Sequence, residues 1–370
     1  MTFREILQTV DVDRLRGIIN QADAADVRAS LAKKRLQFED YLLLLSRAAS
    51  EIIEELALKA RELTLHHFGR TILLYAPLYL SNECDNQCAY CGFSQRLPEK
   101  RVTLSPEEAV LEAEVLYRKG FRHILLVSGE KRDKVSIPYL KKVISNLHRK
   151  FESIALEIFP LEEDEYRELF SAGADGVTIY QEVYDPKIYR QVHPVGPKAN
   201  YEYRILTPER AARAGFYKIN IGTLLGLGEW KEEAALLGLH AAYLKKTFWK
   251  VQVMVSFPRL KPSGAHFQPL HPVTDRNLVQ MLCALRIFLP TAGFVLSTRE
   301  GSEFRDNLIP LGITQMSAES KTSPGGYLKK SRAEEQFEVS DTRSLEEVTA
   351  AITQKGYEPV YKDWDKGFIS

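Results

Sequence analysis

Tyr79-Leu-Ser-Asn-Glu-Cys84-Asp-Asn-Gln-Cys88-Ala-Tyr90-Cys91-Gly-Phe93 overlaps the end of an apolar run, Ile72–Leu80. The run reads as a buried strand, and the polar, cysteine-rich stretch as the loop leaving its C-terminal end. Three thiolates in one short loop can bind three irons of a cubane 4Fe–4S cluster, because soft sulfur ligands suit iron–sulfur centres. The fourth iron then has no protein ligand, and its open position suits a chelating cofactor. A zinc site usually wants four ligands, and no histidine lies nearby in sequence to be the fourth. A plain electron-transfer cluster would want a fourth cysteine. The only other one, Cys283, sits on the apolar side of a helical segment and reads as core packing.

The amino and carboxylate groups of S-adenosylmethionine can fill the open position. One electron from the cluster then breaks the sulfonium bond and yields a 5′-deoxyadenosyl radical. CxxxCxxC with an aromatic residue before the last cysteine is the signature of radical S-adenosylmethionine enzymes, and it sets Tyr90 near the adenine.

Outward from this loop, short apolar runs alternate with amphipathic segments. Candidate strands are Ile72–Leu80, His123–Ser128, Ile154–Ile158, Gly176–Tyr180, Lys218–Gly222, Gln252–Ser256, Gly293–Ser297 and Ile313–Ser317. Helical segments lie between them, one opened by Ser105-Pro106-Glu107-Glu108, an N-cap with proline and acidic residues in the first turn. Eight continuous apolar strands alternating with helices predict a (β/α)8 TIM-type barrel, an α/β fold, over residues 71–320, either full or partial with a looser eighth strand. Residues 1–70 read as an N-terminal helical extension, with one apolar helical pattern from Phe38 to Phe68. Residues 321–370 read as a C-terminal tail packing on the barrel, with a further helix at Ser344–Lys355.

Composition narrows the function classes. The 370 residues carry a formal net charge of +1 with both signs interspersed, so no nucleic-acid partner is implied. No apolar stretch approaches the ~20 residues a membrane span needs, and the N-terminus has no signal-peptide run. The expectation is a soluble, cytoplasmic protein. Four cysteines, three of them within residues 84–91, are no disulfide framework for a chain of this size.

Chemistry in such a barrel gathers at the C-terminal strand ends. They carry Ser128-Gly129-Glu130, Glu157, Glu182, Arg259, Arg299, Ser317 and Ser320, with Arg204 in the loop after the fourth strand. Glu130 can accept hydrogen bonds from the methionyl amino group, and Gly129 lets the backbone approach closely. Glu157 and Glu182 can bind cofactor groups, Glu182 the ribose hydroxyls. Arg204, Arg259 and Arg299 can hold carboxylates.

Longer motifs carry a resemblance. They include Tyr75-Ala-Pro-Leu-Tyr-Leu-Ser-Asn82, Cys91-Gly-Phe-Ser94, Leu125-Leu-Val-Ser-Gly-Glu130, Tyr180-Gln-Glu-Val-Tyr184 and Ser256-Phe-Pro-Arg-Leu260. Leu296-Ser-Thr-Arg-Glu300, Ser317-Ala-Glu-Ser-Lys-Thr322, Pro324-Gly-Gly-Tyr327 and Lys362-Asp-Trp-Asp365 continue it. On these the chain resembles the 2-iminoacetate synthases, the tyrosine lyases of bacterial thiamine biosynthesis. The resemblance implies Cα–Cβ cleavage of L-tyrosine to 2-iminoacetate and p-cresol, started by hydrogen abstraction from the substrate amine. It implies that Arg299 holds the substrate carboxylate with Tyr79 and Ser317 or Ser320. Glu130 would bind the methionyl amino group, Arg204 its carboxylate and Glu182 the ribose. A flavodoxin- or ferredoxin-type electron donor and the thiazole synthase are the implied partners.

Two related aromatic amino-acid lyases compete. The hydrogenase-maturation tyrosine lyase carries a second cysteine-ligated cluster in a C-terminal extension, whereas here the chain stops at Ser370 and no cysteine follows Cys283. A tryptophan lyase shares the strand-end arginine pattern. A non-catalytic iron–sulfur carrier is the alternative of another class, and it has no use for polar strand ends.

Overall fold

A computed structural model describes residues 1–328 and 333–362. Asp363–Asp365 of the Lys362 motif therefore lie outside the described residues. Eight parallel strands close into a barrel: β1 (Thr71–Ser81), β2 (His123–Ser128), β3 (Ser153–Glu157), β4 (Gly176–Glu182), β5 (Lys218–Thr223), β6 (Gln252–Ser256), β7 (Gly293–Leu296) and β8 (Gln315–Ser317). Each pairs with the next, and β1 pairs with both β8 and β2, which closes the ring. The barrel expectation is met, and strand starts and ends fall within two residues of the sequence reading.

The strands form where the sequence buries both faces. β1 is buried almost throughout, its outward side chains under helices and its inward ones filling the barrel. Helices between strands are capped as their sequences suggest. Ser105 Oγ accepts from Glu108 N–H at 3.1 Å, and the Glu108 carboxylate accepts from Ser105 N–H at 2.7 Å, a closed capping box.

The N-terminal extension is helical but not one long helix. The pattern from Phe38 to Phe68 breaks into Phe38–Leu44, Arg47–Glu51 and Ile53–Phe68. Ser46 is the cause: its hydroxyl accepts from Ala49 N–H at 3.1 Å and caps a new helix, so apolar spacing alone overran a polar start signal. The extension docks on the helices after β5 and β6. Tyr41 donates to the Ala234 carbonyl at 2.8 Å, and Gln280 donates to the Leu44 and Ser46 carbonyls at 3.0 and 2.8 Å.

The tail returns to the sheet, which the sequence reading did not anticipate. A ninth strand, β9 (Glu358–Val360), pairs with Thr71–Leu73 of β1 before β2 begins its own pairing at Ala76. Arg305, fully buried, pairs with Asp341 of the tail and donates to the Ser317 carbonyl at the end of β8. The tail is thus fastened beside the strand ends that carry the polar residues. Cys283 is completely buried in the core, as read.

Candidate active site at the strand ends

The cysteine loop is held by the ends of β1 and β2, by the helix after β4, by the tail and by Arg101. Asp85 N–H donates to the Glu130 carbonyl at 2.8 Å, and Gly129 N–H to the Ser81 carbonyl at 2.9 Å. Ala89 N–H donates to the Val192 carbonyl at 2.9 Å, and Gly92 N–H to the Gln336 carbonyl of the tail at 3.1 Å. Arg101 donates to the carbonyls of Asn82, Phe93, Ser94 and Leu97, so one guanidinium ties both ends of the loop. A loop with this many satisfied backbone groups has a defined shape before any ligand arrives.

Cys84, Cys88 and Cys91 all line one cavity, together with Asn86, Ser128, Gly129, Glu130, Glu157, Tyr180, Glu182, Lys198, Arg204 and Gln336. Among the described residues no three His, Cys, Asp or Glu side chains converge on one point, as a mononuclear ion requires. Three cysteines on a cubane each meet a different iron, so they need to share a cavity rather than a point. Burial holds the Cys88 and Cys91 thiols above their ordinary range, which disfavours bare thiolates and suits a site whose metal charge supplies the balance.

The cavity also fits a polar chelating cofactor. Ser128 Oγ lies buried in its wall with no hydrogen-bond partner. A Cβ on Gly129 would run into the Glu83 carbonyl and lie 3.2 Å from Cys84 Cβ, so glycine there keeps the β2 end against the cysteine loop. Asn86 Nδ2 donates to Glu130 at 2.7 Å and stands 3.6 Å from Cys84 Sγ, which orients the Glu130 carboxylate.

Glu182 leaves β4 at a bulge, with φ of 71°, after the β4–β5 register shifts between Tyr180 and Glu182. The strained turn swings its carboxylate onto Lys198 at 2.7 Å and Arg204 at 3.3 Å. Burial works to raise its pKa, but the two cations prevail and hold it at about 2.

A second cavity lies deeper, lined by Tyr75, Tyr79, Leu125, Glu157, Tyr180, Ser256, Phe257, Val295, Arg299, Ser317, Ser320 and Phe337. Glu157 and Tyr180 border both cavities. Arg299 lies over the Phe337 ring, 3.4 Å from its centroid, and makes only a long contact, 3.5 Å, to the Arg259 carbonyl. Ser320 Oγ is buried here without a partner, whereas Ser317 Oγ already accepts from Thr298 N–H at 3.2 Å. A larger cavity, about 1000 Å³, opens at the opposite end of the barrel around Thr71, His123, Ser153, Lys218 and Gln252. It holds strand starts and no cysteine, so its size does not make it the site.

Two residues singled out from sequence are not brought to these cavities. The Arg259 guanidinium turns to Glu300 and, at 2.7 Å, to Asp275, a structural cluster outside the lining. The reason is that Glu300 is almost wholly buried and needs the cation. Tyr90 lies behind the cysteines, its hydroxyl on His193 Nε2 at 2.8 Å and its ring beside Lys198. The sequence reading missed Asn86, Lys198, Gln336 and Arg101. Of these only Asn86, inside the cysteine motif itself, carried a sequence signal.

Known proteins share this sequence and fold. A family model described as the radical SAM superfamily matches residues 78–238, and one described as the biotin and thiamin synthesis associated domain matches residues 256–358. The chain is 42% identical over 365 residues to a 2-iminoacetate synthase of Escherichia coli (strain K12), covering 98% of this chain and 97% of that protein. It is 40% identical over 365 residues to the 2-iminoacetate synthase of Salmonella typhimurium, with the same coverage. Among solved structures, the FeFe-hydrogenase maturase HydG from Carboxydothermus hydrogenoformans superposes with a TM-score of 0.85 at 34% identity, over 98% of this chain and 84% of that one.

Proposed function

The chain belongs to the 2-iminoacetate synthases of the radical S-adenosylmethionine superfamily, carbon–carbon lyases that use a 4Fe–4S cluster and S-adenosylmethionine, and from that premise we propose that it cleaves the Cα–Cβ bond of L-tyrosine. The products are 2-iminoacetate, which serves thiazole assembly in thiamine biosynthesis, and p-cresol. The observation that carries this reading is the pair of adjoining cavities, one with the three cysteines and one with Arg299, meeting at Glu157 and Tyr180.

When bound, the cluster and cofactor supply a carbon-centred deoxyadenosyl radical. Cys84, Cys88 and Cys91 hold the cluster. Ser128, Gly129 and Glu130 receive the methionyl amino group, with Asn86 fixing the Glu130 carboxylate. Arg204 holds the methionyl carboxylate, and Glu182, locked by Lys198, faces the ribose. Tyr90, outside both cavities, would brace the loop that holds the cluster through its hydrogen bond with His193.

Arg299 holds the tyrosine carboxylate, a bidentate role its largely uncommitted guanidinium suits. Tyr79 lines the same cavity, and the unpartnered Ser320 hydroxyl makes it the better of the two serine candidates. The closed barrel keeps water from the reacting carbons and positions the amine toward the cofactor.

Residues 71–320 form the catalytic barrel, with 1–70 as an extension and 321–370 as a tail packing on it. The electron comes from a flavodoxin- or ferredoxin-type donor, and the thiazole synthase receives the imine. The enzyme's place is the cytoplasm. Among the described residues no helix is long and apolar enough to cross a membrane. The test is anaerobic reconstitution, reduction, and supply of S-adenosylmethionine and L-tyrosine. p-Cresol and 5′-deoxyadenosine are expected; an intact cluster that yields neither product rejects the reading.

A further inference from the structure

Glu157 ends β3 with its carboxylate facing the border between the two cavities. Among the described residues that carboxylate has no hydrogen bond and no ion pair. Glu157 is half-buried, its carboxylate open to the cavities, whereas the buried Glu182 one strand away has two cationic partners. Around Glu157 stand Arg299 from the loop after β7, Glu182 and Tyr180 from β4, Lys198 and Arg204 from the segment after it, and Tyr75 and Tyr79 from β1. Arg299 is the cation it feels most, yet the two make no ion pair.

An unpaired anion and a nearly uncommitted cation thus line one cavity. An α-amino acid zwitterion is their complement, since it carries a carboxylate and an ammonium on a single carbon. The orientation follows from the walls. Arg299 lines only the deeper cavity, whereas Glu157 also borders the cavity of the cysteines. The ammonium end therefore belongs on the cofactor side, where hydrogen abstraction from nitrogen requires it. Leu125, Val295 and Phe257 are left for the aromatic ring.

We propose that Glu157 binds the α-ammonium group of the tyrosine and takes one proton from it, presenting a neutral amine to the cofactor cavity while Arg299 holds the carboxylate. This rests on the lyase reading above and moves Glu157 from the cofactor to the substrate. The step is a proton transfer alone: the N–H bond breaks, an O–H bond forms on Glu157, the nitrogen keeps its electron pair, and nothing is oxidised or reduced. Burial, only partly offset by Arg299, pushes the Glu157 carboxyl up to about 7. The α-ammonium of a free amino acid, beside a carboxylate rather than a peptide carbonyl, lies above the about 7.7–8.0 of a chain terminus, so the transfer runs uphill until Arg299 pairs the substrate carboxylate and its positive charge lowers the ammonium.

The experiment compares equilibrium binding of L-tyrosine and of 3-(4-hydroxyphenyl)propanoate, which lacks the amine, to the full-length cluster-loaded enzyme with S-adenosylmethionine. Wild type is expected to prefer tyrosine. Glu157→Gln should weaken tyrosine roughly 10- to 100-fold, the range of a lost charge-assisted hydrogen bond, and leave the amine-free acid unchanged or tighter. Glu157→Asp should keep part of the preference. kcat/KM for tyrosine in wild type should rise with pH through about 7, a limb Glu157→Gln lacks. Equal loss of both ligands in Glu157→Gln, unchanged tyrosine binding, or a wild type that does not prefer tyrosine overturns the proposal. Absence of p-cresol from a wild type that does prefer tyrosine sinks the lyase reading instead.

Discussion

The Tyr79 hydroxyl donates to Gln336 Oε1 at 2.7 Å, and the Gln336 amide nitrogen stands 4.0 Å from Cys91 Sγ. One side chain of the tail therefore touches a wall of the Arg299 cavity and a cysteine of the loop at once. A Cβ on Gly92 would strike the Glu335 and Gln336 carbonyls, so the tail reaches the loop only because glycine follows Cys91. The tail is part of the site, not a cover added to it.

Gln336→Ala should lower kcat/KM for tyrosine about tenfold while the iron content stays near wild type. The side chain orients Tyr79, and losing a partner for a buried hydroxyl costs about 1–3 kcal/mol. The backbone bond from Gly92 N–H to the Gln336 carbonyl survives and keeps the loop in place. Steady-state p-cresol assays beside iron determination give the answer, and equal loss in both would assign Gln336 to loop folding.

Arg259 and Arg299 should separate cleanly. Arg259→Ala leaves the buried Glu300 carboxylate without its cation, a loss on the order of 3–5 kcal/mol, and should appear as a lower melting temperature with KM for tyrosine little changed. Arg299→Ala should raise that KM by tenfold or more, with melting near wild type and uncoupled cofactor cleavage persisting. Thermal melts and initial rates on the two variants decide it; matched behaviour of the pair would contradict their division of labour.

Glu182→Gln should destabilise the protein and flatten its acid sensitivity. Without the carboxylate, Lys198 and Arg204 are left buried and facing each other, again on the order of 3–5 kcal/mol. The folded-state pKa of about 2 lies below the ordinary 4.5. This group's stabilisation is therefore complete above pH 4.5 and is lost as pH falls toward 2. Melting temperatures from neutral to acid pH should drop less steeply in the variant over that window.

The barrel was legible because its strands are continuous apolar runs, a pattern that depends on burial and not on any partner. Cys84, Cys88 and Cys91, Glu130 and Arg299 were legible because chemistry-bearing residues stood at strand ends. Lys198 was not, since it lies in a three-residue 3-10 turn, Pro197–Ala199, too short for any periodicity to mark it, and only the fold brings it to Glu182. Arg259 shows the converse: a basic strand-end residue reads the same whether its partner is a ligand or Glu300, 41 positions away. Ser46 broke the helical pattern around it for a local reason that apolar spacing does not register. β9 is three residues long, and its pairing with β1 is set by where the tail returns.

Gly129→Val should empty the cluster site without unfolding the barrel. The residue is not in left-handed backbone, so the obstacle is space alone. Any Cβ meets the Glu83 carbonyl and crowds Cys84, and two further methyls push the loop off the end of β2. The barrel behind it is packed by β1 and β2 residues that do not move, since Ala76–Ser81 stay paired with Ile124–Ser128. Far-ultraviolet circular dichroism should match wild type, while iron content and the visible absorption of the reconstituted protein fall as far as in Cys88→Ala. Full iron loading in Gly129→Val would show that the loop tolerates displacement and that the close approach of β2 does not position Cys84.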